Sequence, residues 1–108
     1  MKYLANAFSL QMLPEGTGLR LLVDRLDQDA ARAALSGGFA SAIGHPDTAA
    51  VVGALLGRPV AVNRVSIRLT AADELYVAQY SGPRLPEGAT SLPEGARIDF
   101  WLVRLDYD

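Results

Sequence analysis

Residues 41–56 constrain the fold more than any other stretch. Ser41-Ala42-Ile43-Gly44-His45-Pro46-Asp47-Thr48 runs into Ala49-Ala50-Val51-Val52-Gly53-Ala54-Leu55-Leu56. Val51 with Leu55, and Val52 with Leu56, make an apolar stripe at a spacing of four, which demands a helix. Pro46 suits the first helical position, where its missing N–H costs nothing, and Asp47 complements the helix dipole. Gly57 and Pro59 close the helix. His45 therefore stands at or beside the N-cap. A shorter helix precedes this one: Asp27 reads as its N-cap, Asp29 lies in its first turn, the alanines carry it to about Leu35, and Gly37 and Gly38 stop it.

Strand patterns flank the helices. Lys2 to Phe8 alternates weakly, and Leu19 to Leu26 is rich in Leu and Val. Between them, within Leu10 to Gly18, Leu13-Pro14-Glu15-Gly16 is a turn sequence with Pro at its first corner. After the helices, Val65, Ile67 and Leu69 alternate with Ser66 and Arg68, a half-buried pattern that predicts a strand. Leu75 to Tyr80 is expected to pair with it as a hairpin across Thr70 to Glu74. Arg84 to Ala96 is a loop with two more Leu-Pro-Glu-Gly turns, and Ile98 to Leu105 is a last strand carrying the single Trp101. Leu-Pro-Glu-Gly recurs too briefly and irregularly to be a structural repeat. The expectation is an α/β (mixed α+β) fold: one domain over residues 1–108, a mixed central sheet of about five strands, and two main helices packed on it.

Composition narrows the function classes. A chain of 108 residues is long enough for one modest core. It has no Cys and a single His, which excludes disulfides, thiol chemistry and a conventional His/Cys metal cluster. Its formal charge of −2 gives no broad grip on a DNA duplex, although a few placed donors can still hold a small anion. No apolar run reaches the length of a membrane span. Ala5-Asn6-Ala7 imitates a signal-peptidase site, but only four residues precede it, so the start reads as a strand and the expected location is cytoplasmic. The basic residues are all Arg except Lys2, which suits phosphate recognition but is equally explained by codon bias.

Few residues carry chemistry. His45 at a helix N-terminus sits beside free N–H groups, where it can bond a phosphate or donate a proton near neutral pH. Gly44 before it would allow close backbone approach. The blander alternative, a His that merely caps the helix, is favoured by local pattern alone. Arg84 at the start of the last loop could clamp a phosphate, while Arg64 and Arg68 could equally be solvated surface residues. Glu15, Glu87 and Glu94 share one turn context, and pattern does not separate them. Asn6 and Gln79 interrupt apolar surroundings, as ligand-facing strand ends or as hydrogen-bonded edge positions would.

Longer matches add to this reading. Tyr3-Leu4-Ala5-Asn6-Ala7-Phe8-Ser9-Leu10-Gln11-Met12-Leu13, Ser41-Ala42-Ile43-Gly44-His45 with Thr48, Asn63-Arg64-Val65, Leu75-Tyr76-Val77 with Gln79, and Arg84-Leu85-Pro86-Glu87-Gly88 occur in that order. Together they resemble the type III CRISPR ring nucleases, which include anti-CRISPR proteins of archaeal viruses and bacterial relatives. The resemblance spans nearly the whole chain and implies a metal-independent, cofactor-free homodimer. Such a dimer binds cyclic tetra-adenylate at its interface and cuts it by attack of a ribose 2′-hydroxyl. It implies His45 and Glu87 as catalytic residues, with His45 as general acid and Glu87 holding it protonated or oriented from its own or the partner subunit. Arg64 and Arg84 would hold phosphates, and Asn6, Ser9, Gly44, Thr48 and Gln79 would line the ligand site. Glu87 is preferred because Arg84 and Leu85 precede it, with Glu94 as its rival. Pro46 departs from the varied, often acidic residues expected after the family's His. Rival readings are a non-cutting module that sequesters the messenger, a small nucleic-acid-binding regulator, and a structural dimer domain.

Overall fold

The computed structural model describes residues 1–106. Its strands are β1 (Lys2–Ala5), β2 (Arg20–Leu26), β3 (Ala40–Ser41), β4 (Glu74–Ser81) and β5 (Arg97–Asp106), with helices α1 (Gln28–Leu35) and α2 (Pro46–Leu56). A 3-10 turn at Leu10–Met12 lies between β1 and β2, its Ser9 side chain accepting the Gln11 N–H. The strands form one sheet in the order β2-β5-β4-β1-β3. β1 pairs in parallel with both β3 and β4, while β5 runs antiparallel to β4 and to β2. The sheet is mixed, and the fold is the expected α+β arrangement.

Strand periodicity sorts the core into two layers. On one face, Leu4, Tyr76, Ala78 and Phe100 meet Ala31 and Leu35 of α1 and Ala49, Val52 and Leu56 of α2. On the other, Ala5, Leu75, Val77, Val103 and Leu105 are covered by Phe8, Met12, Leu13, Ile67 and Leu69. Both helices thus occupy one face, and irregular chain closes the other.

The helix boundaries follow their local chemistry. Asp27 caps α1, its Oδ1 accepting the Ala30 N–H at 2.7 Å. α2 starts at Pro46 and ends on Gly57, whose φ of 70° reverses the chain. The carbonyl of Leu55 accepts from Arg32 and Gln28 of α1, and the carbonyl of Leu35 from Arg58 just past α2. Side chains therefore satisfy the helix C-termini and tie the two helices together.

Two strand expectations need correction. Val65 to Leu69 forms no strand, so the predicted hairpin with Leu75 to Tyr80 does not exist; β4 makes its hairpin with β5. The alternation holds only in part: Ile67 and Leu69 are buried and Ser66 and Arg68 exposed, but Val65, expected on the buried side, is exposed as well. Its cause is that the segment lies flat across the sheet face, with Leu69 N–H donating to the Met12 carbonyl at 2.8 Å. The fifth strand is β3, whose two residues are too short to leave a periodic signal. β1 also stops at Ala5, short of the expected Phe8, because Phe8 turns back over the sheet.

Candidate active site

The parallel strands β1, β3 and β4 have their carboxyl ends at the same end of the sheet. The chain leaves β1 through Asn6, passes from β3 through Ile43-Gly44-His45 into α2, and leaves β4 into the loop of residues 82–96. A cleft of about 1270 Å³ opens there, lined by Asn6, His45, Pro46, Asp47, Thr48, Tyr80, Arg84, Leu85, Pro86, Glu87 and Gly88. The carboxyl ends of parallel strands are where open sheets gather ligand-binding loops.

The turn into α2 is built from backbone partners. Ser41 Oγ donates to the Ala61 carbonyl at 2.6 Å. Asn63 N–H donates to the Ile43 carbonyl at 2.8 Å, and its Nδ2 to the Ser41 carbonyl at 2.9 Å. The Ser41 and Asn63 motifs, 22 positions apart, are thus one structural unit. Arg64 lies along the same turn, its Nη2 donating to the Gly44 carbonyl at 3.3 Å. A Cβ on Gly44 would stand 3.1 Å from the Arg64 Cβ, so Gly44 leaves room for that side chain.

His45 is the N-cap residue by backbone geometry (φ −121°, ψ 127°), yet its side chain makes no capping hydrogen bond. The bland alternative, an imidazole spent on capping, is not what the structure contains. The ring is exposed in the cleft at the N-terminus of α2, where unpaired N–H groups favour a phosphate oxygen.

The facing wall comes from the loop after β4. Pro86-Glu87-Gly88-Ala89 is closed by Ala89 N–H on the Pro86 carbonyl at 3.1 Å, and Gly88 has φ of 78°. Glu87 at the second position and a left-handed Gly88 at the third mark a type II turn, which exposes Glu87 at its corner. Pro93-Glu94-Gly95-Ala96 repeats it, with the same 3.1 Å bond and a Gly95 φ of 81°. Only the first turn reaches the cleft. Glu94 lies outside it.

The cleft therefore gathers Asn6, His45, Thr48, Arg84 and Glu87 from the sequence-derived set. Gly44 and Arg64 stand immediately behind His45, off its wall. Ser9 is exposed at the 3-10 turn. Gln79 shares its sheet face with Leu75 and Val77 and lines a separate groove of about 340 Å³ with Phe8, Val23 and Trp101. Within one chain it is on the far side of the sheet from His45. Tyr80 and Asp47 were missed. Tyr80 is the β4 residue on the helix face, and its hydroxyl donates to the Pro83 carbonyl at the start of the loop. Asp47, read only as a dipole partner, accepts the Gly88 N–H at 3.0 Å. Strand parity would have found the first; the second joins residues 41 positions apart. Among the described residues, no group of three His, Cys, Asp or Glu side chains is placed to hold a metal ion. No helix among them is long and apolar enough to cross a membrane.

Comparison with known proteins gives a consistent picture. A family model described as STIV B116-like matches residues 2–102. Among solved structures, B116 of Sulfolobus turreted icosahedral virus superposes with a TM-score of 0.80 at 30% identity, covering 95% of this chain and 97% of that one. Curated proteins gave no match.

Proposed function

The chain belongs to the STIV B116-like family, and on that footing we propose that it is a metal-independent ring nuclease acting on cyclic tetra-adenylate, the messenger of type III CRISPR defence. The observation that carries this reading is the meeting of His45, Arg84 and Glu87 in one cleft at the N-terminus of α2.

The chemistry asked of these residues is modest. A ribose 2′-hydroxyl attacks its own 3′-phosphate, forming the O2′–P bond as the P–O5′ bond breaks. His45 donates a proton to the departing O5′, the 2′-hydroxyl proton passes to water, and His45 is reprotonated from solvent. One cut leaves a 2′,3′-cyclic phosphate and a 5′-hydroxyl; two cuts give two linear di-adenylates and switch the messenger off. The α2 N–H groups and Arg84 would hold the phosphate in line, where positioning supplies most of the acceleration. General-acid help from His45 is worth about 10²–10⁴-fold. Glu87 would orient the imidazole.

In this reading the working form is a two-fold homodimer that takes the ring at its interface in the cytoplasm, with equivalent sites on opposite phosphates. The second copy would also supply the cationic groups that a chain of net charge −2 must concentrate around four phosphates. Ser9 and Gln79, remote from His45 in one chain, contribute only if the ring or the second copy bridges to them.

Single-turnover cleavage of labelled ring in EDTA tests the proposal. Wild type is expected to yield di-adenylates, and His45→Ala to lose about 10²-fold or more. Binding without cutting by wild type would replace the nuclease with a sequestering module.

A further inference from the structure

We propose that Asp47 is a positioning residue that selects which of two equivalent Pro-Glu-Gly turns presents its carboxylate to His45. The inference rests on the ring-nuclease reading only for the role it gives Glu87.

Local structure does not distinguish Glu87 from Glu94. Each sits at the second position of a type II turn closed by the same 3.1 Å hydrogen bond, before a glycine with φ of 78° or 81°. What differs is an outside partner. A type II turn orients its central peptide so that the third residue's N–H stays outside the turn's own hydrogen bond. At Gly88 that N–H is taken by Asp47 Oδ1 at 3.0 Å. The peptide so gripped is the one joining Glu87 to Gly88.

The grip comes from a rigid place. Asp47 is the second residue of α2 and adjoins His45 across Pro46, whose ring fixes the local backbone. One short stretch, His45-Pro46-Asp47, thus carries the proposed acid and also the anchor for its carboxylate partner. At its other end, the loop is fastened to β4 by the Tyr80 hydroxyl on Pro83. A charge-assisted bond to a backbone N–H is stronger than a neutral one, so loss of Asp47 frees the Glu87 turn while the rest of the fold stands.

The test combines amide hydrogen exchange with single-turnover cleavage of cyclic tetra-adenylate. It uses the full chain as wild type, Asp47→Ala, Asp47→Asn, Glu87→Gln and the Asp47→Ala/Glu87→Gln double variant. The Gly88 amide is expected to exchange roughly tenfold or more faster in Asp47→Ala. In Asp47→Asn, whose amide oxygen still accepts, the change should stay within about threefold. Unchanged exchange across Val51 to Leu56 would show that α2 remains folded. At saturating ring, cleavage is expected to fall about 10- to 100-fold in Asp47→Ala, while the double variant is no slower than Glu87→Gln. Unchanged Gly88 exchange in Asp47→Ala, or a double variant slowed by the full Asp47→Ala factor, overturns the proposal. A wild type that never cuts the ring overturns the nuclease reading and Glu87's role with it; the exchange comparison still decides separately whether the latch exists.

Discussion

At the scale of single residues, the buried carboxylate of Asp73 shows how one side chain can hold a chain reversal. Burial alone would push its carboxyl up, but the Thr70 N–H at 2.9 Å, the Thr70 hydroxyl at 3.0 Å and the Met1 ammonium at 3.4 Å outweigh it and hold the group below 3.8. The sign of the pH effect follows. A carboxyl more acidic folded than unfolded contributes stability in full above its unfolded value, and loses it as pH falls through the folded one. Asp73→Ala is expected to cost about 1–3 kcal/mol at neutral pH. Urea melts at a series of pH values should show the gap to wild type closing below 3.8. A gap that is constant down to the acid limit would mean that the carboxylate charge is not what stabilises the turn. At the same scale, the legible residues were those whose neighbours in sequence are also neighbours in space. Asp27 as a cap and Pro46 at the first turn follow from adjacent residues. Asp47 and Tyr80 work through partners outside that range or through strand parity, and pattern alone overlooked them.

At the scale of elements, α2 was readable from end to end because its start, stripe and stop are all local. The segment at residues 65–69 was not. Period-two alternation reports that one side of an extended chain is buried, and Ile67 and Leu69 satisfy that by lying on the sheet instead of pairing in it. The parallel pairing of β1 with β4 is equally silent in sequence, since it joins residues some seventy positions apart through backbone groups. α2 also carries a constraint that helix propensity would mispredict. Replacing an interior helical Gly by Ala ordinarily gains about 1 kcal/mol. At Gly53, however, a Cβ would stand 2.9 Å from the Arg58 carbonyl and 3.4 Å from the Val60 backbone nitrogen. Backbone cannot step aside as a flexible side chain can. Gly53→Ala is therefore expected to destabilise by about 1–3 kcal/mol, and a urea midpoint raised above wild type would refute the close approach.

At the scale of the whole molecule, the arrangement of the sheet makes a claim about how two copies would share their chemistry. His45 enters the cleft from the turn after β3, and Glu87 from the loop after β4, because both strands run parallel to β1 and finish at the same end of the sheet. Each chain thus brings His45 and Glu87, the acid and carboxylate of the proposed reaction, to one cleft of its own. In the proposed homodimer, each site would then draw its His45 and Glu87 from the same chain. This predicts the outcome of mixing inactive variants. In a heterodimer of His45→Ala and Glu87→Gln chains, cis sites leave every pair with one damaged member. Sites that borrowed Glu87 from the second copy would leave one pair intact. Equimolar mixing with exchange of subunits is therefore expected to restore none of the lost cleavage. Recovery toward a quarter of the wild-type rate, as statistical mixing of trans sites gives in an order-of-magnitude count (roughly half heterodimers, one live site in two), would reassign Glu87 to the neighbouring chain. That result would also mean the turn gripped by Asp47 rearranges when the ring is bound, because the Asp47 bond to Gly88 holds Glu87 in the same cleft as its own His45.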